Sequence, residues 1–161
     1  MALAPEITIQ PLSDTQIFEY SDTLSFLIPD GQRHLKAGQP VVISKKGGVA
    51  GILVTDIRPE NEPAMPYGLV PSKPTYGHNG VHHASVRVNG GVFHVQGTSV
   101  SGAAAGDPVY LKATSGNSGE PTVTLAASGA DVILGYLYKA PASGSGKQDL
   151  QVVIRPGVVS A

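Results

Sequence analysis

The chain has 161 residues, which suits one domain with an appended arm and allows a buried core. Only 14% of the residues are charged, and the net charge of −1 argues against a nucleic-acid-binding protein. Because the chain has no cysteine, disulfides and cysteine-ligated zinc sites are excluded.

The first 22 residues predict an extended N-terminal arm. Ile7–Ile9 and Ile17–Tyr20 are short β-prone pieces separated by Pro11. The first 32 residues carry five acidic residues and no Lys or Arg, so they are either a segment that docks on a basic surface or a solvated acidic stretch. The first ten residues lack the basic and apolar regions of a signal peptide. No apolar run reaches the roughly 18 residues of a transmembrane helix, so we expect no membrane partner.

Three β-prone runs follow the arm, at Leu24–Ile28, Val41–Ile43 and Gly51–Ile57. Two turn sequences separate them. Pro29-Asp30-Gly31 combines a proline, which fixes φ, with a glycine that accepts positive φ, and Lys45–Gly48 is the second turn. From Arg58 to His83, five prolines break every periodic pattern. We predict a long Pro-rich loop over 58–83, and loops of that length inside a compact domain are often functional.

Beyond the loop, the chain again predicts strands. Asn89-Gly90 lies between the alternating segments Ser85–Val88 and Gly91–Val95, which is typical of a β-hairpin with a primed turn. The run Val132–Tyr138 is nearly all apolar, which predicts a central strand buried on both faces. Further strands are predicted at Val109–Leu111, Thr122–Leu125 and Leu150–Arg155. Residues 23–161 are therefore predicted to form a single all-β domain, a small antiparallel β-barrel or sandwich.

One sequence pattern occurs twice. Ala37–Ile43 resembles Ala105–Leu111, and a strand with an internal glycine, Gly51 or Gly135, follows each copy. In the second copy, Gly106, Asp107 and Pro108 are predicted to shape a turn that enters a strand, since proline at a strand's first position needs no N–H. The pattern indicates either two similar β-units or a coincidence in a chain rich in glycine and proline.

Candidate chemical sites do not form a recognised constellation. His78, His82, His83 and His94 could suggest a metal site, and His78 and His82 are spaced four apart as on one face of a helix. The glycines and asparagine around them disfavour a helix, so we expect loop or interface histidines. Ser145-Gly146-Lys147 lacks the first glycine and the Ser or Thr of a phosphate-binding loop. No nucleophile-elbow or zincin motif occurs. We therefore predict no catalytic residues, no metal and no cofactor, and a protein that is not an enzyme.

Four segments in the second half resemble a known family, the capsid decoration (cement) proteins of tailed bacteriophages. They are Gly91–Val95, Gly106–Leu111, Ile133–Tyr136 and Leu150–Arg155, in that order and spacing. The resemblance covers roughly residues 36–156. This chain departs from the pattern in its longer segment 58–83 and in its first 30 residues, which have no counterpart.

The resemblance implies a homotrimer that binds the major capsid protein on the outer surface of an assembled capsid. We expect the arm and the Pro-rich loop to make most capsid and intersubunit contacts; the alternative is a frayed terminus and a loose insertion. Other interpretations are a different virion β-protein, from a tail, head fibre or baseplate, and a carbohydrate-binding or hydrolytic β-domain, although the absence of Trp disfavours a sugar site. The predicted interface residues are Ile7, Ile9, Ile17, Phe18, Tyr20, Met65, Tyr67 and Tyr76.

Overall fold

The computed structural model describes residues 23–60, 80–113, 120–142 and 144–159. Within these ranges the chain forms strands and a single 3-10 turn, Asp30–Gln32, which confirms the all-β prediction. No helix in the described ranges is long and apolar enough to cross a membrane. The predicted arm and residues 61–79 of the Pro-rich loop lie outside the described residues. The strands are β1 (Thr23–Leu27), β2 (Pro40–Ser44), β3 (Val49–Leu53), β4 (His83–Arg87), β5 (Val92–Ser99), β6 (Pro108–Lys112), β7 (Thr122–Thr124), β8 (Val132–Leu137) and β9 (Gly146–Val158).

The first four strands form an antiparallel sheet in the order β1-β4-β3-β2. Alternate residues of these strands point to one side, as the two-residue period of a strand requires. Together with neighbouring turn residues they bury a cluster on that side. The cluster contains Ile28, Leu35, Val41, Leu53, Ile57, Ala84 and Val86.

The last five strands close into a barrel in the order β5-β7-β6-β8-β9, with β9 also paired to β5. Most pairs are antiparallel, as expected, but β7 runs parallel to β5 at Thr98 and Thr124. The inward residues of all five strands fill the barrel, among them Val109, Leu134 and Leu150, each with no exposed surface. Closure leaves few open strand edges in this half of the chain.

The two halves repeat one β-unit, with the same register around Gly51 and Gly135. The first unit (β1 to β4) has the strand order β1-β4-β3-β2, and the second unit (β5 to β9) contains the equivalent order β5-β9-β8-β6. Val41 lies opposite Gly51 as Val109 lies opposite Gly135. Two backbone hydrogen bonds also correspond: Val54 donates to Ser85 and Tyr138 donates to Gln151, each at 2.8 Å. These correspondences favour the two-unit interpretation of the sequence pattern over coincidence.

Among the described residues, the first unit has no counterpart of β7, and Gln32 takes over the hydrogen bonds of that strand. In the barrel, Tyr110 of β6 pairs with Thr124 of β7. The equivalent residue of the first unit is Val42, whose N–H donates to Gln32 Oε1 at 2.8 Å and whose carbonyl accepts from Gln32 Nε2 at 2.6 Å. The Gln32 carboxamide thus satisfies both backbone groups of a strand-edge residue that is only 3% exposed.

The interior side chains of the two units also differ at the place where only the second unit has β7. A Cβ on Gly97 of β5 would approach the Val123 side chain within 2.9 Å, so the glycine leaves room for β7. The equivalent residue of the first unit is Ile28, which is fully buried. An isoleucine thus fills space in the first unit that a whole strand helps to fill in the second.

The first unit packs on the barrel through β3 and the β2–β3 turn. Val42, Ala50 and Ile52 belong to the same buried cluster as the barrel interior. In the turn, Gly48 has a φ of 62°, and a Cβ there would lie 2.5 Å from backbone atoms of Gly157 and Val158 at the end of β9. Only glycine fits this close approach without displacing backbone.

Two local predictions were wrong. The segments flanking Asn89-Gly90 do not form a hairpin, because β4 pairs with β1 and β3 whereas β5 pairs with β7 and β9. The Asn-Gly segment instead links the units, and the Gly90 N–H donates to the Ile154 carbonyl at 2.9 Å. The strand β8 is central, between β6 and β9, but it is not buried on both faces, since Tyr136 is exposed on its outer side.

Candidate functional site

The turn Gly106-Asp107-Pro108 serves the fold. Gly106 has a φ of 91°, which favours glycine, and its N–H donates to the Leu137 carbonyl at 2.9 Å. The Asp107 carboxylate accepts the Ala104 N–H at 2.8 Å, and Pro108 begins β6. The Asp107 carbonyl also accepts the Leu137 N–H at 2.9 Å. These contacts all belong to a turn or to a strand ladder, as the sequence predicted.

The equivalent turn of the first unit has the same hydrogen bonds. Gly38 has a φ of 89°, and its N–H donates to the Leu53 carbonyl. The Leu53 N–H in turn donates to the Gln39 carbonyl. Gln39 Oε1 accepts the Lys36 N–H at 2.6 Å, as the carboxylate of Asp107 does for Ala104. Since a neutral carboxamide performs the same role, the charge of Asp107 is not required for the turn.

We expect Asp107→Asn to cost at most about 1 kcal/mol of unfolding free energy, because its amide oxygen can accept the Ala104 N–H. Asp107→Ala removes the acceptor and should cost about 1 kcal/mol, with Gln39→Ala as its matched counterpart in the first unit. Urea denaturation measures all three variants. A folded Asp107→Asn protein that has lost its function entirely would show that the carboxylate does more than shape the turn.

An ion pair joins the two units beside the β2–β3 turn. Lys45 Nζ lies 2.9 Å from Asp131 Oδ1, and Asp131 Oδ2 accepts the Ala113 N–H at 2.7 Å. Burial of the Asp131 carboxyl raises its pKa, but the hydrogen bonds from Lys45 and Ala113 and the charges of Lys45 and Lys112 outweigh burial. The pKa of Asp131 therefore lies below its usual value of 3.8.

This lowered pKa predicts a pH-dependent contribution to stability. The contribution is present above the unfolded-state pKa of about 4 and is lost as pH falls through the lower folded-state pKa. We expect Asp131→Asn to be less stable than the wild type by only about 1 kcal/mol at pH 7. The loss is small because the Lys45 side chain is half exposed, so water screens the ion pair. The difference should shrink below pH 4, as measured by urea denaturation at several pH values, with Lys45→Met as the partner control. A difference that is the same at pH 7 and pH 3 would contradict this assignment.

The described histidines do not converge on one point. His94 Nδ1 lies 2.8 Å from Asp149 Oδ2 on the outer face of the barrel, and both side chains are largely exposed. His83 Nδ1 lies 2.9 Å from the Val81 carbonyl oxygen, and His78 is outside the described residues. Among the described residues, no group of three or more His, Asp or Glu side chains is arranged to hold a metal ion.

Two shallow depressions flank Pro141 and Ala142, with volumes of about 270 and 300 Å³. The first is lined by Lys139, Gln148 and Asp149 among others, and the second by the small residues of 100–103 and by Gly144. The described residues that line them include no histidine, so no serine–histidine pair lies in either depression.

An apolar row crosses the outer wall of the barrel. Val92 and Tyr136, which are 45% and 37% exposed, both lie opposite Val153. Tyr138, which follows the end of β8 and is 59% exposed, adds apolar surface two residues beyond Tyr136. Exposed apolar surface that is contiguous across several strands is typical of an interaction surface. The apolar row consists of Val92, Val153, Tyr136 and Pro108, which lie side by side on β5, β9, β8 and β6.

The interface residues predicted from the sequence all fall outside the described residues, so their contacts stay a prediction. The structure does bring the two ends of the Pro-rich segment together. The Arg58 N–H donates to the His83 carbonyl at 3.1 Å, and the His82 N–H donates to the Arg58 carbonyl at 2.7 Å. The segment between these residues therefore leaves and rejoins the first unit at one place.

Comparisons with known proteins identified no relative of this chain. No family model matches the chain. Searches of curated proteins and of solved structures also found no match. The functional hypothesis therefore depends on the chain's own residues and on the resemblance described above.

Proposed function

We propose that this protein is a structural component of a bacteriophage particle that binds the outer surface of the assembled capsid and stabilises it. One observation carries the proposal. The four segments that resemble capsid decoration proteins fall on β5, β6, β8 and β9, which are neighbouring strands of one closed barrel. The resemblance thus covers a continuous structural unit instead of scattered short matches.

The use of polar groups also supports a structural role. The carboxylate of Asp107 and the carboxamides of Gln32 and Gln39 all bond to nearby backbone groups of the fold itself. The carboxylate of Asp131 joins the two units. These polar side chains are occupied in holding strands and turns, which suits a protein that acts by binding as a rigid body.

The mechanism is linkage between binding and assembly. A protein that binds the assembled lattice, and binds the separate subunits less well, stabilises the lattice by mass action. Many copies on a symmetric shell add avidity without strong individual contacts. In this proposal the partner is the major capsid protein, the protein binds as a homotrimer, and no cofactor takes part.

Capsid sedimentation tests this function. Purified protein is mixed with undecorated, expanded capsids, and unexpanded shells of the same capsid protein serve as the lattice control. We expect saturable co-sedimentation with the expanded capsids, and a higher temperature of genome release from filled particles. No co-sedimentation at saturating protein concentration would contradict the proposal.

Deleting residues 2–16 tests the proposed role of the arm. These residues include Ile7 and Ile9, which can add as a short strand to a neighbour's open sheet edge, and Glu6 and Asp14, which favour encounter with a basic surface. We expect the truncated protein to bind capsids at least tenfold more weakly, while its thermal unfolding changes little. A matched control replaces Glu6 and Asp14 by Gln and Asn, which should slow binding mainly at low salt. Unchanged affinity after the deletion would show that the arm is only a tail.

A further inference from the structure

The contact between the two units uses one face of the first unit and one end of the second. The face carries Ile52 of β3, which is 2% exposed and belongs to the buried cluster of the barrel. The end lies where β8 begins and β9 finishes, because Gly48 of the β2–β3 turn contacts Val158, and Val158 pairs with Val132. At this end of the barrel, Leu111 pairs with Val132 and is fully buried.

Within the described part of the chain, the same face of the second unit stays exposed around Tyr136. Pro40 and Arg87 flank Ile52 in the register of the first unit, just as Pro108 and Val153 flank Tyr136 in the barrel. Tyr136 is therefore the equivalent of Ile52. Whereas Ile52 is buried between the units, Tyr136 is 37% exposed in the apolar row.

The corresponding end of the first unit is also less covered. The repeated sequence pattern aligns Ile43 with Leu111, and one residue beyond the equivalent pair Arg87 and Val153 it aligns Val88 with Ile154. The two barrel residues have no exposed surface, but Ile43 and Val88 are only partly buried. We call Ile43 and Val88 the open end. In the described part of the chain, one face and one end are therefore left without a partner, and they are of the kinds that pack together between the two units.

We propose that copies of this chain assemble head to tail, with the apolar row of one copy packed on the open end of the next. Such a contact is heterologous, and it closes into a ring when the rotation between copies allows it. Three copies would place six β-units in the ring, each packed face to end on its neighbour. Only the number of copies depends on the proposed function; the contact itself is a property of the protein in solution.

Light scattering on the purified full chain tests the contact without any capsid. We expect the wild type to have the mass of three chains, and Tyr136→Arg to have the mass of one. A buried, unpaired charge should raise the dissociation constant by about 100-fold. The matched control is Thr122→Arg, on an exposed position of β7 outside the apolar row, which should remain trimeric. A monomeric wild type at high micromolar concentration, or a trimeric Tyr136→Arg protein, would overturn the proposal.

The direction of the contact is tested by cross-linking, because the chain contains no cysteine. Tyr136→Cys and Val88→Cys chains are mixed and treated with a short bismaleimide. A head-to-tail contact predicts cross-links between the two kinds of chain and none with Tyr136→Cys alone. Cross-linking of Tyr136→Cys to itself, or none in the mixture, would overturn the head-to-tail arrangement. Because sedimentation measures capsid binding separately, a failure here leaves that result standing.

Discussion

Replacing Gly135 with alanine is expected to unfold the barrel. A Cβ at this position would lie far inside van der Waals contact of the Val153 carbonyl oxygen on the adjacent strand β9. Backbone cannot yield as a flexible side chain does, so β8 and β9 would have to separate at the centre of their ladder. We expect a loss of more than about 3 kcal/mol of unfolding free energy, which is a large part of the stability of a small protein. Urea denaturation and near-ultraviolet circular dichroism measure it.

Two further glycines make this prediction specific. Gly51 holds the equivalent position in the first unit, where a Cβ would collide with the Arg87 carbonyl oxygen, so Gly51→Ala should be as damaging. Gly157→Ala is the matched control, because the nearest atom to a Cβ there is a side-chain carbon of Ile133 at 4.0 Å. Equal stability of the Gly135 and Gly157 variants would contradict the close approach of the β9 backbone to Gly135.

Replacing Gln32 with alanine is expected to open the edge of the first unit. The change leaves the N–H and the carbonyl of Val42 without the carboxamide that pairs both of them. An unsatisfied buried backbone group costs about 1–3 kcal/mol, and Val42 is only 3% exposed. We therefore expect a loss of about 2 kcal/mol or more. Hydrogen exchange of the Val42 amide should accelerate more than exchange in the barrel strands.

One variant of Gln32 separates its hydrogen bonds from its size, and a variant of another glutamine serves as the control. Gln32→Glu keeps an acceptor for the Val42 N–H but places a carboxylate oxygen beside the Val42 carbonyl, so it should not restore stability. Gln96→Ala, on an exposed position of β5, should change the free energy of unfolding by less than about 0.5 kcal/mol. If Gln32→Ala were no more damaging than Gln96→Ala, solvent rather than Gln32 would satisfy the edge.

The sequence allowed the strands and turns to be predicted where local chemistry decides them. Gly38 and Gly106 adopt positive φ angles, and Pro40 and Pro108 each begin a strand, as the repeated pattern indicated. Strand pairing is harder to predict because partners are distant in sequence. Asn89-Gly90 has the residues of a hairpin turn, but the strands beside it gain more by completing two separate units.

The features that shape the candidate surface had no local signature in the sequence. Gln32 takes the place of a strand because β2 lies at the edge of its sheet. A single glutamine in a turn does not indicate this role from the sequence. The apolar row combines residues from four strands that are adjacent in space but not in sequence, although alternation along β9 could have suggested that Val153 points outward. The sequence instead directed attention to residues 1–22 and 58–83, most of which lie outside the described residues.

Image reconstruction of expanded capsids mixed with this protein tests the central claim most directly. The proposal predicts added density on the outer surface at three-fold or quasi-three-fold positions, with three copies of the chain fitting each protrusion. The same capsids without added protein should lack that density. An unchanged outer surface at saturating protein concentration, or density only on the inside of the shell, would contradict the proposal.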